Sequence, residues 1–212
     1  MLLEVKVKDF VEDVASSKPA PGGGSVAALT SSLGSALTSM VGNLTIGRKA
    51  YEKLTVEQKK QLDHNFVRSQ ELIKALNRLT EEDTTAFNGV MAAFKLPKGT
   101  EEEKKKRSEE IQKAMKEALE VPLTVAKESL EVLKIQKSFG DFGNPNAITD
   151  VGVGALLAYA GLEGALFNVL INLQSIKDEE YVKEIREKCD ALKSEGNRLK
   201  NETLEVVYSK LN

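Results

Sequence analysis

The chain has 212 residues, and its 30 Lys and Arg residues nearly balance its 32 Asp and Glu residues. A chain of this length forms one soluble domain whose core removes about 70% of the unfolded surface from water, so neither disulfides nor a structural metal is needed. The net charge of −2 argues against nucleic acid as the main partner, because binding phosphates requires a concentrated basic face.

The single cysteine and the single histidine exclude several kinds of chemistry. Cys189 cannot form an internal disulfide, and no charged-then-apolar leader opens the chain, so we expect a cytoplasmic protein. A His-ligated metal or a His-based triad would depend on His64 alone, which lies in a polar stretch. We therefore expect no metal and no cofactor, with proton transfer carried by Asp, Glu, Lys or Tyr.

Apolar residues at helical spacing run through most of the chain and predict an all-α fold. A short amphipathic segment, Phe10–Val14, precedes the Lys18–Ser25 turn, where two prolines and three glycines prevent a helix. A helix of small residues follows and reaches about Gly47. A long helix is predicted from about Thr55 to Phe94, where a proline and a glycine end it.

The second half of the chain continues the helical pattern. A capping-box pattern over Thr100–Glu103 begins another long helix, and a second glycine-rich loop is expected over Phe139–Asn146. The least polar segment, Val151–Leu173, follows, and a last helix begins near Asp178. We predict a bundle of about six helices in a single domain over residues 1–212.

The apolar segment Val151–Leu173 is long enough to cross a membrane, yet we predict that it is the central helix of the bundle. Glu163 lies in its middle, and Gly and Ala are frequent. We therefore expect no membrane partner. The small-residue stretch Ala27–Gly42 is similar in composition, so these two helices are expected to pack closely. Asn168 and Asn172, one turn apart, either bond between helices or line a pocket, and we favour the bonding role.

Each of these two helices is preceded by a loop that can expose backbone N–H groups to a ligand. The run Gly22, Gly23, Gly24, Ser25 either reverses the chain with Ser25 as the N-cap or lets a flat or anionic ligand approach the backbone; we favour the ligand. The run Asn144–Asp150, taken alone, is better explained as a capped helix start with an acid in its first turn.

Three charged positions are further candidates for a site. Arg48 and Lys49 follow a helix, where they either face its dipole or bind a carboxylate of a ligand. Asp83 lies one turn before Phe87, which belongs to the stripe of apolar residues along the predicted Thr55–Phe94 helix, so Asp83 borders the core. A carboxylate in that position is a candidate for proton exchange.

Eight strings extend these observations, and they run in order along nearly the whole chain: Ala20–Ala28, Ser39–Val41, Thr45–Arg48, Asp83–Phe87, Leu96–Lys104, Val121–Leu123, Gly143–Asp150 and Phe167–Leu173. Together they resemble the cyclodeaminase/cyclohydrolase family, which acts on one-carbon tetrahydrofolates. The resemblance implies an all-α, up-and-down antiparallel bundle that forms a homodimer, with a folate site in a groove lined by both glycine-rich helix starts.

The resemblance also implies a reaction. We expect cyclisation of 5-formiminotetrahydrofolate to 5,10-methenyltetrahydrofolate with release of ammonia, and the tetrahydrofolate is then substrate, not cofactor. The alternatives are hydrolysis of the methenyl compound to 10-formyltetrahydrofolate, as in a methenyltetrahydrofolate cyclohydrolase, and a folate-binding bundle without turnover. The chain has no room for the formiminotransferase often fused to the cyclodeaminase, which leaves the choice between the two reactions open.

Under this resemblance each candidate residue takes a role. Asp150 and Asp83 are the expected acid and base, in an order that the sequence leaves open. The other expected roles are backbone donors at Gly22, Gly23, Gly24 and Ser25, orientation of the substrate by Asn144 and Asn146, and contact of Arg48 and Lys49 with glutamate-tail carboxylates. Asp150 is expected to point into the groove beside Gly22–Ser25.

Overall fold

The structure, a computed structural model, describes all 212 residues and contains only helices and connecting turns. The seven α-helices are α1 Val7–Val14, α2 Gly23–Asn43, α3 Lys49–Glu52, α4 Val56–Phe94, α5 Glu101–Phe142, α6 Ile148–Leu173 and α7 Glu179–Leu211. Short 3-10 turns precede α1 and α6, at Leu2–Glu4 and Pro145–Ala147. The predicted all-α class is confirmed.

The five long helices make the bundle. Helices α2, α4, α5 and α6 surround a common core, with α2 packed on α4 and α6, and α5 packed on the same two helices. Helix α7 lies in the groove between α5 and α6. Neighbours around the four-helix core run antiparallel, because each long helix returns along the one before it. The up-and-down arrangement is therefore as predicted, with five long helices and two short ones.

Local sequence signals place the helix starts correctly. Thr55 and Thr100 each accept a hydrogen bond from the backbone N–H three residues on, at 3.3 and 3.1 Å, and both capping boxes are complete. Asp178 caps α7 by accepting from the Tyr181 N–H at 3.1 Å. These side chains satisfy backbone donors that would otherwise be unpaired at the first turn.

Two predicted boundaries were wrong. Helix α2 ends at Asn43, and the chain turns at Gly47, whose φ of 72° favours glycine. Helix α5 continues to Phe142 through residues predicted as loop, because Phe139 is buried in the core and Gly140 packs closely against Val206. Packing thus overrides the local preference of a Phe-Gly sequence to leave the helix.

Small residues bring the backbones of α2 and α6 together. Gly34 faces Gly154 and Ala158, while Gly161 faces Ala27 and its neighbours. The two helices therefore run antiparallel. A Cβ on Gly161 would lie 2.6 Å from the Ala27 carbonyl oxygen. The predicted close packing of these two helices is confirmed.

Helix α6 has one outward stripe despite its central place. With its preceding turn it is long and apolar enough to span a membrane by length and composition, with a mean hydropathy of 1.6. In the fold it packs on α2, α5 and α7. Its stripe and the adjacent stripe of α2 form an outer apolar face of exposed side chains: Leu33, Met40, Leu44, Val153, Leu156, Phe167 and Ile171.

The α2/α6 contact yields a stability prediction. Replacing Gly161 by Ala should lower the free energy of unfolding by about 1–3 kcal/mol, because the new methyl group forces the two backbones apart. Gly89→Ala on α4 is the matched control: no atom lies within 4 Å of the added Cβ, so removal of a helical glycine should stabilise by about 0.5–1 kcal/mol. Urea unfolding of both variants measures the difference, and equal effects would contradict the packing argument.

Candidate active site

A cavity of about 360 Å³ lies at the N-terminal end of α2. Helix α2 begins at Gly23, level with Asp83, whereas α4 continues for three more turns beyond Asp83 toward its end at Phe94. The cavity occupies the space that α2 would fill if it were longer. The loop Pro19–Gly24, the end of α4, two residues of α5 and the end of α6 line it.

The Asp83 carboxylate is fixed at the inner end of this cavity. The Ser25 hydroxyl, which is completely buried, donates a hydrogen bond of 2.9 Å to Asp83 Oδ2. The other carboxylate oxygen lies against the Cα of Gly24, where any Cβ would collide with it. Glycine at position 24 therefore creates the space in which the carboxylate sits. Asp83 and the glycine run, which the sequence singled out separately, are thus in contact in the structure.

The backbone of the glycine run offers unpaired donors. Gly22 is the N-cap of α2 and has no side-chain cap, and the first helical bond runs from the Val26 N–H to the Gly22 carbonyl. The N–H groups of Gly23, Gly24 and Ser25 have no acceptor in the protein. Ser25 is thus inside the first turn and is not the N-cap, so the alternative of a simple capped reversal was wrong.

Two amides from α6 complete the inner end of the cavity. Asn168 donates to the Gly164 carbonyl at 2.9 Å, and its amide group faces Gly23, 3.6 Å from the position that a Cβ would take. Asn172 lies one turn further and also lines the cavity. The sequence favoured hydrogen bonds between helices for this pair, whereas in the structure Asn168 bonds within α6 and both residues line the cavity.

The remaining predicted residues gather at the opposite end of the bundle, which we call the asparagine end. The Asn144 N–H donates to Thr45 Oγ1 at 2.8 Å, and the Asn144 side chain donates to the Leu44 carbonyl at 3.2 Å. This joins the loop before α6 to the turn after α2, which carries the exposed Arg48 and Lys49. Asn146 is exposed beside them, and Asp150 lies half-buried in the first turn of α6.

The two groups are far apart within one chain. Asp150 precedes Asn168 by 18 residues on α6, which corresponds to about 27 Å along the helix. The expectation that Asp150 points into the groove beside Gly22–Ser25 was wrong for a single chain, as was that of one groove lined by both glycine-rich starts. The cause is that α2 and α6 pack antiparallel, so their N-termini lie at opposite ends.

Other reactive side chains lie outside the cavity. His64 is exposed on α4, and no group of three or more His, Cys, Asp or Glu side chains is placed to hold a metal ion. Burial raises the pKa of the Cys189 thiol, which keeps it protonated. A larger groove of about 600 Å³ between α4 and α5 contains none of the predicted site residues. Asp83, by contrast, lines the smaller cavity, and a hydrogen bond from Ser25 holds its carboxylate in place.

The outer part of the cavity wall was not predicted from the sequence. Phe87 was expected on an apolar stripe at the core, yet Phe87, Met91 and Phe94 are each about 40% exposed and line the cavity together with Val90. Thr84, which is next to Asp83, has a buried hydroxyl oxygen without a hydrogen-bond partner. The predicted helix lengths could have indicated this wall. A helix of about 40 residues, α4, cannot be covered along its whole length by a neighbour of about 20, α2.

These features define an all-α protein with a small-molecule cavity, in which unpaired backbone donors and amide groups surround a held carboxylate. The family model of formiminotransferase-cyclodeaminase matches residues 6–191. The chain therefore belongs to the formiminotransferase-cyclodeaminase family, which confirms the resemblance seen in the sequence.

Individual relatives agree with this family. A methenyltetrahydrofolate cyclohydrolase of Methylorubrum extorquens is 39% identical over 206 residues, which cover 97% of both chains. The formimidoyltransferase-cyclodeaminase of Rattus norvegicus is 34% identical over 195 residues, and this chain spans only 35% of its length. The crystal structure of formiminotetrahydrofolate cyclodeaminase from Thermotoga maritima has a TM-score of 0.87 at 27% identity, with both chains covered completely.

The contact between Gly24 and Asp83 can be tested by a double-mutant cycle. Gly24→Ala should lower the free energy of unfolding by about 1–3 kcal/mol, since the methyl group displaces the carboxylate. In an Asp83→Ala background the clash is gone, so the same substitution should cost little. Gly22→Ala is the control, because its nearest neighbour is the Pro19 carbonyl oxygen at 3.8 Å. Additive effects in urea unfolding would show that the two residues do not touch.

Proposed function

We propose that this chain is a tetrahydrofolate one-carbon enzyme that cyclises 5-formiminotetrahydrofolate to 5,10-methenyltetrahydrofolate. The observation that carries the proposal is the Asp83 carboxylate, held by Ser25 in a cavity at the glycine start of α2, in a chain that belongs to this family. The crystal structure named formiminotetrahydrofolate cyclodeaminase has the same fold over its whole length and supports this reaction.

The reaction needs a proton donor and a proton acceptor. N10 of the folate attacks the formimino carbon and loses its proton, which forms the N10–C bond. The bond from that carbon to the formimino nitrogen then breaks. Overall, one proton is taken up, ammonia leaves, and the methenyl cation remains. Placing N10 beside the formimino carbon supplies much of the rate, and a positioned carboxylate supplies the proton transfer.

Asp83 is suited to act on the departing nitrogen or on N10. Ser25 binds Oδ2, while Oδ1 borders the cavity beside Gly24. The amide groups of Asn168 and Asn172, together with the free N–H groups of α2, offer donors and acceptors for the polar edges of the folate ring. We propose binding through Gly22, Gly23, Gly24 and Ser25 on this basis.

Hydrolysis of the methenyl compound is the second candidate. In that reaction water adds to the methenyl carbon, the bond from this carbon to N5 breaks, N5 takes a proton, and one proton is released. The relative named methenyltetrahydrofolate cyclohydrolase, which matches 97% of both chains, favours it. The methenyl compound is the product of the first reaction and the substrate of the second, and both reactions need a carboxylate positioned for proton transfer.

We propose that the chain acts as a homodimer through the outer apolar face of α2 and α6. This face carries Phe167 and Ile171 about 60% exposed, and large exposed apolar side chains are typical of an interface. A two-fold axis across the helices would place the asparagine end of one copy beside the cavity of the other. Asp150, Asn144 and Asn146 of the second copy would then reach the substrate, which restores their proposed roles.

The proposal includes no metal and no resident cofactor, since the residue inventory offers carboxylates and amides for proton transfer and no metal-ligand cluster. We also propose that the protein works in the cytoplasm, where reduced folate is dissolved.

The reaction is tested by the near-ultraviolet absorbance of the methenyl product. We expect absorbance to appear from 5-formiminotetrahydrofolate and to persist when EDTA is added. Asp83→Asn should reduce this rate about 10²- to 10⁴-fold, because the amide keeps the shape but cannot transfer a proton. Loss of absorbance from the methenyl compound, with none gained from the formimino compound, would establish the hydrolase instead. No change with either compound would refute both reactions.

A shared site is tested with hybrid dimers. Asp83→Asn and Asp150→Asn should each be nearly inactive alone. Unfolding and refolding them together should restore roughly a quarter of wild-type activity, because half of the dimers are hybrids and each hybrid has one intact site. Sedimentation checks the dimer, and refolding each variant alone is the control. A fully active Asp150→Asn variant would remove Asp150 from the site, and a monomer would remove the interface.

A further inference from the structure

The cavity is elongated along one face of α4. Asp83, Phe87, Met91 and Phe94 follow one another at helical spacing, and all of them line it. Phe94 lies 11 residues beyond Asp83, or about 16 Å along the helix. The inner end is polar, and the middle and outer parts present two aromatic rings and a thioether. A ligand that fits has a polar reactive end followed by flat apolar groups.

A fixed cation stands at the outer end of this face. The Arg107 guanidinium donates two hydrogen bonds, of 3.2 and 2.9 Å, to the Phe94 carbonyl and lies 5.7 Å from the centroid of the Phe94 ring. These contacts use Nε and one terminal nitrogen, so the other terminal nitrogen is free. Arg68 and Arg198 are bound to carboxylates, whereas Arg107 has only this carbonyl. It is therefore available to a carboxylate from a ligand.

The connection between α4 and α5 adds positive charge at the same end of the cavity. Its residues 95–100 include Lys95 and Lys98 and no acid. On the first turns of α5 the charges nearly balance, because the four basic residues up to Arg107 lie between three glutamates before them and two after them. The connection therefore attracts anions to the end of the cavity at which Arg107 is held.

The cations that the sequence suggested for this role lie elsewhere. Arg48 and Lys49 follow α2, whose 21 residues separate them from the cavity of their own chain by about 30 Å. Within one chain, Arg107 is the arginine held in contact with a residue of the cavity wall.

We propose that the substrate lies along α4, with its reacting ring at Asp83, its benzoyl group on Phe87 and Met91, and its glutamate carboxylates at Arg107. This orientation rests on the proposed function and adds to it the residues that recognise the tail. Arg107 is a binding residue in this account, and Phe94 positions it through the two hydrogen bonds to its carbonyl and the stacked ring.

The test compares two ligands that differ only in the tail: 5-formyltetrahydrofolate and 5-formyltetrahydropteroate, which lacks glutamate. The wild-type protein should bind the folate more tightly. Arg107→Gln should raise the Kd of the folate about tenfold, because a charge-assisted hydrogen bond is lost, and should leave the Kd of the pteroate unchanged. Lys106→Gln, an exposed neighbour on the same helix, is the control and should change neither Kd. Titration calorimetry measures all of these values.

The aromatic part of the wall gives a different signature. Phe87→Ala should weaken the folate and the pteroate by the same factor, since both carry the benzoyl group. Val56→Ala, at an exposed position on the same helix, should weaken neither.

The outcomes separate this orientation from the function itself. Equal affinity of the wild-type protein for the two ligands would overturn the orientation, as would equal losses for both in Arg107→Gln, which would indicate a purely structural arginine. If the wild-type protein binds neither ligand, the proposed function fails and the orientation fails with it.

Discussion

Helices α2 and α6 touch through glycine, alanine and serine, and this contact fixes how far apart every other element lies. With Gly34 against Gly154 and Gly161 against Ala27, the axes approach more closely than larger side chains would allow. Buried hydroxyl groups then replace apolar packing next to this seam: Ser31 and Ser129 are 2.6 Å apart, and Gln136 donates to Thr38 at 3.1 Å. These bonds hold α5 to α2 across the bundle. Ser32 and Ser35 donate to Asn77 and to the Ser69 carbonyl of α4, at 2.6 and 2.8 Å, in the register that brings Gly24 level with Asp83.

The cavity follows from a difference in length. Helix α4 has 39 residues and α5 has 42, while α2 has 21, so the hairpin of α4 and α5 projects past the first turn of α2. Apolar residues on the projecting part have no helix to cover them. The unpaired N–H groups of α2 face the same space, and two amides of α6 close it from the side. A bundle of equal helices would have filled this volume with core.

Much of the fold could be predicted from the sequence, because caps and apolar spacing are local signals. The starts of α4 and α5 are readable from Thr55 and Thr100, and the close pair of small-residue helices is readable from composition. The end of α5 could not be predicted in this way, because Phe139 stays helical only through its burial in the core. For the site, the contact of Asp83 with Gly24 and Ser25 joins residues that the sequence had singled out separately. The distance between Asp83 and Asp150 depends on helix direction, which the composition of a segment does not encode.

The order in which the elements occur along the chain has a consequence for assembly. A short turn joins α4 and α5, so the contacts next to that turn are local in sequence, and such contacts form early in folding. The cavity instead combines the loop before α2 with Asn168 and Asn172 near the end of α6, which are about 145 residues further on, and closing so long a segment is entropically unfavourable. A nascent chain therefore has its α4/α5 hairpin well before it has a binding site, and it becomes able to bind ligand only when α6 has docked. A reduced folate present during folding would then stabilise the last docking step and none of the earlier ones.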